Sequence, residues 1–295
     1  MDIFKVLKKL HVYKNGIKFS NESFLIKKYN LHVPEKIFLG DNVFYKYKEL
    51  GHGGQGVVLS YREKDMKSLG LAIKASLGKD VDREDIVASH FQGSDCGLIP
   101  LVTVLYKVGK TEHRYFIMPE CEGDLYDFLG GKRKQFKTMY YIYMEIRRRI
   151  ICLAMQGHYY MDLKPEQILY IKNKGSQLGV ELFVGDLGSL INGKKMYPKY
   201  HIHSYPHPKY YRGNLVANMM TMDWVLGSFL FLLAAKTSYT DDLHYSSPKL
   251  KTLLDRLDVL EKRIDNTFTI TNKYAKLLNY ECKRLLILPN VISKV

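Results

Sequence analysis

Tyr160-Met161-Asp162-Leu163-Lys164-Pro165-Glu166-Gln167 is the stretch on which the reading of this chain turns. An Asp two residues before a Lys, followed at once by a Pro, places a base and a cation on one short loop. Phosphoryl transfer needs both: a carboxylate to orient the attacking hydroxyl, and a positive charge for the phosphate that moves towards it. Asp-Leu-Lys-Pro also arises by chance. The weight therefore falls on what precedes and follows it, and in what order.

Upstream, Gly51-His52-Gly53-Gly54-Gln55-Gly56-Val57-Val58 follows the apolar and aromatic run Val43-Phe44-Tyr45-Lys46-Tyr47. Glycines let the backbone turn tightly and approach phosphate oxygens with no Cβ in the way. Two nucleotide-binding folds share Gly-x-Gly-x-x-Gly-x-Val. A dinucleotide fingerprint passes directly into a helix, whereas Val57-Val58-Leu59-Ser60-Tyr61 is β-branched and aromatic and reads as a returning strand. The expectation is a glycine-rich hairpin over phosphates, with a plain turn-rich hairpin as the alternative.

Eighteen residues past Gly56, Leu71-Ala72-Ile73-Lys74 reads as a short apolar strand ending in one Lys. Burying that Lys is costly unless anionic partners meet it, and nucleotide phosphates plus a carboxylate would do so. Glu84, on a helix expected to follow, is the candidate carboxylate; Asp85 and a merely exposed Glu84 are the alternatives. Tyr115-Phe116-Ile117-Met118 reads as a buried strand that runs through Pro119-Glu120-Cys121-Glu122 into a helix. Backbone groups of such a link can pair with an adenine edge. Asp124 can accept from a ribose hydroxyl, sit at the helix N-terminus facing its dipole, or do both. Downstream, Glu181-Leu182-Phe183-Val184 reads as a strand ending in Asp186-Leu187-Gly188, where Asp186 can chelate a Mg²⁺ that bridges phosphate oxygens.

In this order the elements resemble the protein kinase superfamily over roughly residues 40 to 235. The resemblance implies an α+β, two-lobed fold with a small antiparallel-sheet N-lobe and a mainly helical C-lobe. The divisions it implies are an N-terminal extension at 1–39, an N-lobe at 40–118, and hinge plus C-lobe at 119–295. ATP with Mg²⁺ or Mn²⁺ would be the cofactors. Gly51, Gly53, Gly54, Gly56, Val58, Ala72, Lys74, Glu84, Met118, Glu120, Cys121 and Asp124 would bind the nucleotide. Asp162 would be the base, Lys164 would face the γ-phosphate, and Gln167 with Asp186 would hold metal. A Lys at the second position after the base resembles the serine/threonine branch, so protein hydroxyls are the implied substrates.

Departures from the family pattern are equally legible. Tyr160-Met161 stands where the family has His-Arg, which implies activity independent of a phosphorylated activation segment. Gln167 replaces Asn and adds a methylene, enough to shift a metal by about an ångström. Asp-Phe-Gly has become Asp-Leu-Gly, and Pro208-Lys209-Tyr210-Tyr211-Arg212-Gly213 occupies the region of Ala-Pro-Glu. In Met222-Asp223-Trp224-Val225-Leu226-Gly227, Asp223 is one place off the family's position. Such erosion resembles divergent kinases of large DNA viruses or parasites. It also motivates a second reading, a pseudokinase scaffold or decoy that binds nucleotide or partners without efficient catalysis.

At 295 residues the chain suits one two-lobed catalytic unit, and 13% aromatic content excludes a disordered tail protein. Trp224 to Ala235 is too short to span a bilayer, which takes about 20 residues. Residues 1–12 read as a basic amphipathic helix that docks on the small lobe, with contact to a membrane surface as the alternative. Cys96, Cys121, Cys152 and Cys282 show neither zinc nor disulfide-framework spacing, and free thiols with ATP use suit an intracellular, cytoplasmic setting, in a host cell or virion if the source is viral. His201, His203 and His207 have no neighbouring Cys or acid to complete a metal site. The net charge is +15. Arg147-Arg148-Arg149 and Lys132-Arg133-Lys134 allow nucleic-acid binding as a secondary property, against the plain reading of solvated helix faces. Lys194, Lys195, Lys199, Lys209 and Arg212 fall where kinases receive peptides, so acidic protein substrates are expected.

Overall fold

β-Branched and aromatic residues alternating with polar ones drive the first part of the chain into strands. Longer apolar repeats at helical spacing dominate the remainder. The computed structural model describes residues 16–53, 56–64, 70–76, 91, 96–108, 111–130, 135–193, 196–197, 215–235 and 253–287. Two compact units emerge: Met1–Gly123 with Phe183–Gly188, and Asp124–Leu182 with Ser189–Val295.

In the first unit the strands are β1 (Ile17–Phe19), β2 (Ser23–Ile26), β3 (Leu31–Pro34), β4 (Lys36–Leu39), β5 (Asn42–Gly53), β6 (Gly56–Glu63), β7 (Leu71–Ser76), β8 (Val102–Val108) and β9 (Thr111–Pro119). Seven of them form an antiparallel sheet in the order β1-β4-β5-β6-β7-β9-β8. Residues 17–39 thus contribute two strands to this sheet, and β2 pairs with β3 as a separate hairpin. The buried face gathers Val33, Ile37, Phe44, Leu59, Ile73 and Ile117. Tyr61 and Tyr115 keep their buried hydroxyls satisfied. Tyr61 donates to the Pro34 carbonyl at 2.6 Å, and Tyr115 donates to the His32 carbonyl. These bonds tie the β2–β3 hairpin to the sheet. Gly70 is obligatory, because a Cβ there would collide with the Tyr61 carbonyl oxygen.

The second unit begins in β10 (Gly123–Asp124) and α1 (Leu125–Leu129), followed by α2 (Phe136–Met155). Then come β11 (His158–Tyr160), β12 (Ile168–Lys172), β13 (Val180–Val184), β14 (Leu190–Asn192), β15 (Met196–Tyr197) and β16 (Leu215–Val216). Helices α3 (Met219–Ala235), α4 (Leu253–Thr267) and α5 (Lys273–Leu286) complete it. Met139, Ile142, Ile146, Ile150 and Leu153 recur every three or four residues on α2 and are all buried. Helix α3 is buried almost all round, as expected for the central helix read from Trp224–Ala235. Gly227 permits its close packing on α5, since a Cβ there would lie 2.7 Å from the Leu286 side chain.

No helix among the described residues is long and apolar enough to cross a membrane. Among the described residues Cys121 and Cys282 are free thiols.

Candidate active site

In the first unit the glycine-rich segment is a hairpin, as its β-branched continuation predicts. β5 and β6 pair down to Gly53 opposite Gly56, with register irregularities at Lys46/Lys48 and Glu49/Gly51 that add local twist. Gly56 adopts φ 140°, a conformation that favours glycine. Lys74 sits on the central strand β7 with Val58 opposite on β6 and Phe116 opposite on β9. Ala72 stands opposite Met118. The Lys74 ammonium lies 3.0 Å from Asp186 Oδ1, and both side chains are largely buried. Asp186 itself has φ 46°, in the left-handed region. Its segment is fixed by main-chain bonds, Val184 N–H to Gly97 O and Ile99 N–H to Val184 O, each 3.0 Å.

Past β9, the Glu120 side chain is almost completely buried and accepts from Arg62 at 2.8 and 3.1 Å and from the Gly70 N–H at 2.9 Å. Burial alone would raise its pKa, yet the Arg62 and Gly70 bonds outweigh burial and hold it below the usual carboxylate range. The Glu120 N–H also bonds to the Gly70 carbonyl, so that donor is spent within the protein. Arg62 in turn lies 4.5 Å over the Tyr47 ring. Burial pushes the Cys121 thiol up to about 12, so it stays protonated at neutral pH.

In the second unit, β11 pairs with β14 in the register Tyr160 to Leu190, which anchors the start of the Asp162 loop. A 3-10 turn, Pro165–Gln167, then folds the loop back on itself. Three polar groups consequently converge. Lys164 Nζ donates to Asp162 Oδ2 at 2.9 Å, and Gln167 Nε2 donates to the same oxygen at 3.3 Å. The fully buried Tyr160 donates its hydroxyl to Gln167 Oε1 at 3.2 Å. These bonds fix the Gln167 amide orientation, since Tyr160 offers a hydrogen and Asp162 needs one. Asp124 caps α1, accepting from the Asp127 N–H at 2.9 Å, which is the helix-terminal role open to it from sequence.

No known family profile matches the chain, and no curated protein matches it. Among solved structures it is similar to the kinase PK-1 of Cydia pomonella granulovirus. That likeness has a TM-score of 0.57 at 15% identity, and covers 84% of this chain and 89% of that one. The chain has a protein-kinase fold.

Inside each unit, residues singled out from sequence lie together, Lys74 with Asp186 and Asp162 with Lys164 and Gln167, whereas the sequence reading paired Lys74 with Glu84 and Gln167 with Asp186. Gly54, Glu84 and Asp85 lie outside the described residues. So do residues 1–12, Lys132 to Lys134, the histidines at 201, 203 and 207, and the basic residues from Lys194 to Arg212. Among the described residues no group of three or more His, Cys, Asp or Glu forms a metal cluster. Two features escaped sequence reading. The Tyr160–Gln167 bond joins two departures that seem unrelated in a linear motif. Their shared seven-residue separation across a tight turn was the available signal. The Arg62–Glu120 pair spans 58 residues and had none. Asp223, one place off its usual position, is half-buried. Burial raises its pKa, while Arg284 and Arg147 partly offset this. It faces the α2–α5 arginines.

Proposed function

We propose that the chain is an ATP-dependent serine/threonine protein kinase. The observation that carries this reading is the Lys74–Asp186 ion pair at 3.0 Å. A largely buried pair is seldom retained for stability, because desolvation consumes most of the Coulombic gain. A site for an anionic ligand and its metal gives both charges a purpose.

The residues present suit that ligand. Asp186 is a hard oxygen donor of the kind Mg²⁺ or Mn²⁺ prefers. Gln167 brings an amide oxygen, Oε1, whose orientation Tyr160 fixes at 3.2 Å. Asp186 and Gln167 would hold the ion, and Lys74 would hold phosphate oxygens, with Glu84, Gly51, Gly53, Gly54 and Gly56 assigned to the same nucleotide from sequence. Once bound, ATP supplies the phosphoryl group and the divalent ion offsets its charge. Asp162 orients the substrate hydroxyl and takes its proton on the carboxylate. Lys164 holds Asp162 in place through Oδ2 and brings positive charge to the transferred group. Catalysis of this kind is positioning and electrostatics, with rates of roughly 1–100 s⁻¹ in efficient members. Protein substrates rich in Asp, Glu or phosphoresidues, and independence from activation-segment phosphorylation, belong to the same proposal.

Incorporation of label from [γ-³²P]ATP into casein, a basic protein and the chain itself tests it, with Asp162→Ala alongside. Label that vanishes in the variant is the expected result; equal label in both refutes the assignment. The turning of Gln167 towards Tyr160 and Asp162 favours a second reading, a nucleotide-binding scaffold. Bound nucleotide without label in either protein would make that reading the better one.

A further inference from the structure

Away from these residues, the second unit carries a long trough across α2. The segment 176–182 walls one side, enclosing a groove of about 1080 Å³. Helix α5 walls the other side, with a smaller pocket of about 260 Å³. Both are lined by Met144 and Arg147, so they meet over the middle of α2. Its 20 residues extend for about 30 Å.

The floor is apolar, with Met144, Ile151 and Met155 on α2, Leu178 and Leu182 on one wall, and Leu277 on the other. Met155 is 83% exposed, Leu277 45% and Met144 39%. A contiguous run of such side chains marks an interaction surface, and methionine adapts its shape to what it meets.

The rim is basic. Helix α2 carries Lys137 and Arg147 to Arg149 against Glu145, and α5 carries Lys273, Lys276, Lys283 and Arg284 against Glu281. Each glutamate is shared by two arginines. Glu145 meets Arg148 at 3.2 Å and Arg149 at 2.6 Å, and Glu281 meets Arg147 at 3.3 Å and Arg284 at 2.8 Å. Lys283 is engaged by Glu261 and Asp265 of α4, and Glu181 on the far wall adds one more negative charge. The balance stays positive, and Arg148, with 60% of its side chain exposed, presents it to solvent.

We propose that this trough docks an acidic amphipathic segment of a partner protein. Apolar anchors fill the Met144–Met155 floor, and Asp or Glu side chains lie along the arginine rim. An aliphatic, concave floor suits side-chain anchors better than nucleobases, which stack on open aromatic faces. The tyrosines at hand, Tyr140, Tyr141 and Tyr274, lie 5.6 to 6.0 Å from one another and pack together. This surface does not depend on phosphoryl transfer, so it stands or falls separately from the kinase reading.

The probe is a displayed library of random peptides of about twelve residues, panned on the full chain and counter-selected on Arg148→Glu/Met155→Glu. Both positions are exposed, so unchanged far-UV circular dichroism is expected for the variant. Recovered peptides should combine Asp or Glu with Leu, Ile, Phe or Met, and should bind the variant about tenfold or more weakly. Higher ionic strength should weaken their binding to the parent. No recovered peptide, basic peptides, or equal affinity for both proteins would overturn the proposal. Tighter binding of a single-stranded U-rich RNA, lost in the same variant, would overturn it in favour of nucleic acid. A two-chain mass by light scattering that falls to one chain in the variant would assign the trough to a second copy.

Discussion

Lys74 and Asp186 in the first unit are placed by main-chain hydrogen bonds on either side of them. In the second unit the β11–β14 ladder and a 3-10 turn hold the backbone, but the ends of Asp162, Lys164, Gln167 and Tyr160 are set by one another's side chains. The first arrangement tolerates changes in neighbouring side chains. The second makes each member answerable to the others, so a change at one position needs a matching change elsewhere. Tyr160 and Gln167 are such a match: the longer amide at 167 receives a donor from the phenol at 160.

The largest expected effect breaks the second arrangement at its centre. Asp162→Ala should lower kcat by about 10³-fold or more while nucleotide affinity changes little, as steady-state kinetics and a nucleotide titration would show. Next comes Lys74→Met, which should reduce kcat/KM for ATP by about 10²-fold. Here the loss should appear in nucleotide affinity as well as turnover. If Lys74→Met spared nucleotide binding, the contrast between the two units would fail.

Glu120→Gln tests a brace held by side chains within the first unit. Removing one partner of a buried ion pair costs about 3 kcal/mol, read as a lower denaturation midpoint. The pH dependence should change with it. A carboxylate held below its unfolded value, near about 4.3, stabilises the fold above that pH. That stabilisation is lost as pH falls through the lower folded value. Acid unfolding of Glu120→Gln should accordingly lose part of its slope below about pH 4.3. The smallest effect is Tyr160→Phe, which leaves the buried Gln167 oxygen without its phenol donor, at about 1–2 kcal/mol in thermal stability. A several-fold drop in kcat should accompany it. An unchanged kcat would show that Tyr160 supports the fold alone.

Much of this was legible in the sequence because the informative features are local. The hairpin follows from β-branched Val57 and Val58 after Gly56. The strand follows from Leu71–Ile73, the buried α3 from its apolar run, and the α1 cap from Asp124. Long-range polar pairing was not legible, since an Arg62 that meets Glu120 looks in sequence like any strand-end arginine. The same holds for β1 and β4, whose short strands join a sheet built mainly by later residues. The trough was hidden for another reason. Arg147 to Arg149 show as a charge run, but whether such a run is merely solvated or borders an apolar groove depends on what packs alongside α2.

The position of Lys74 between Val58 and Phe116 has an evolutionary corollary. Cross-strand neighbours on a central strand are set by peptide groups that every residue except proline shares. A lineage can therefore rewrite nearly all the side chains of such a sheet, and still hand down one lysine at the same address. A likeness of fold at 15% identity asks for no more than shared backbone pairing of this kind. Innovation is to be sought instead where side chains hold side chains, as they do around Asp162.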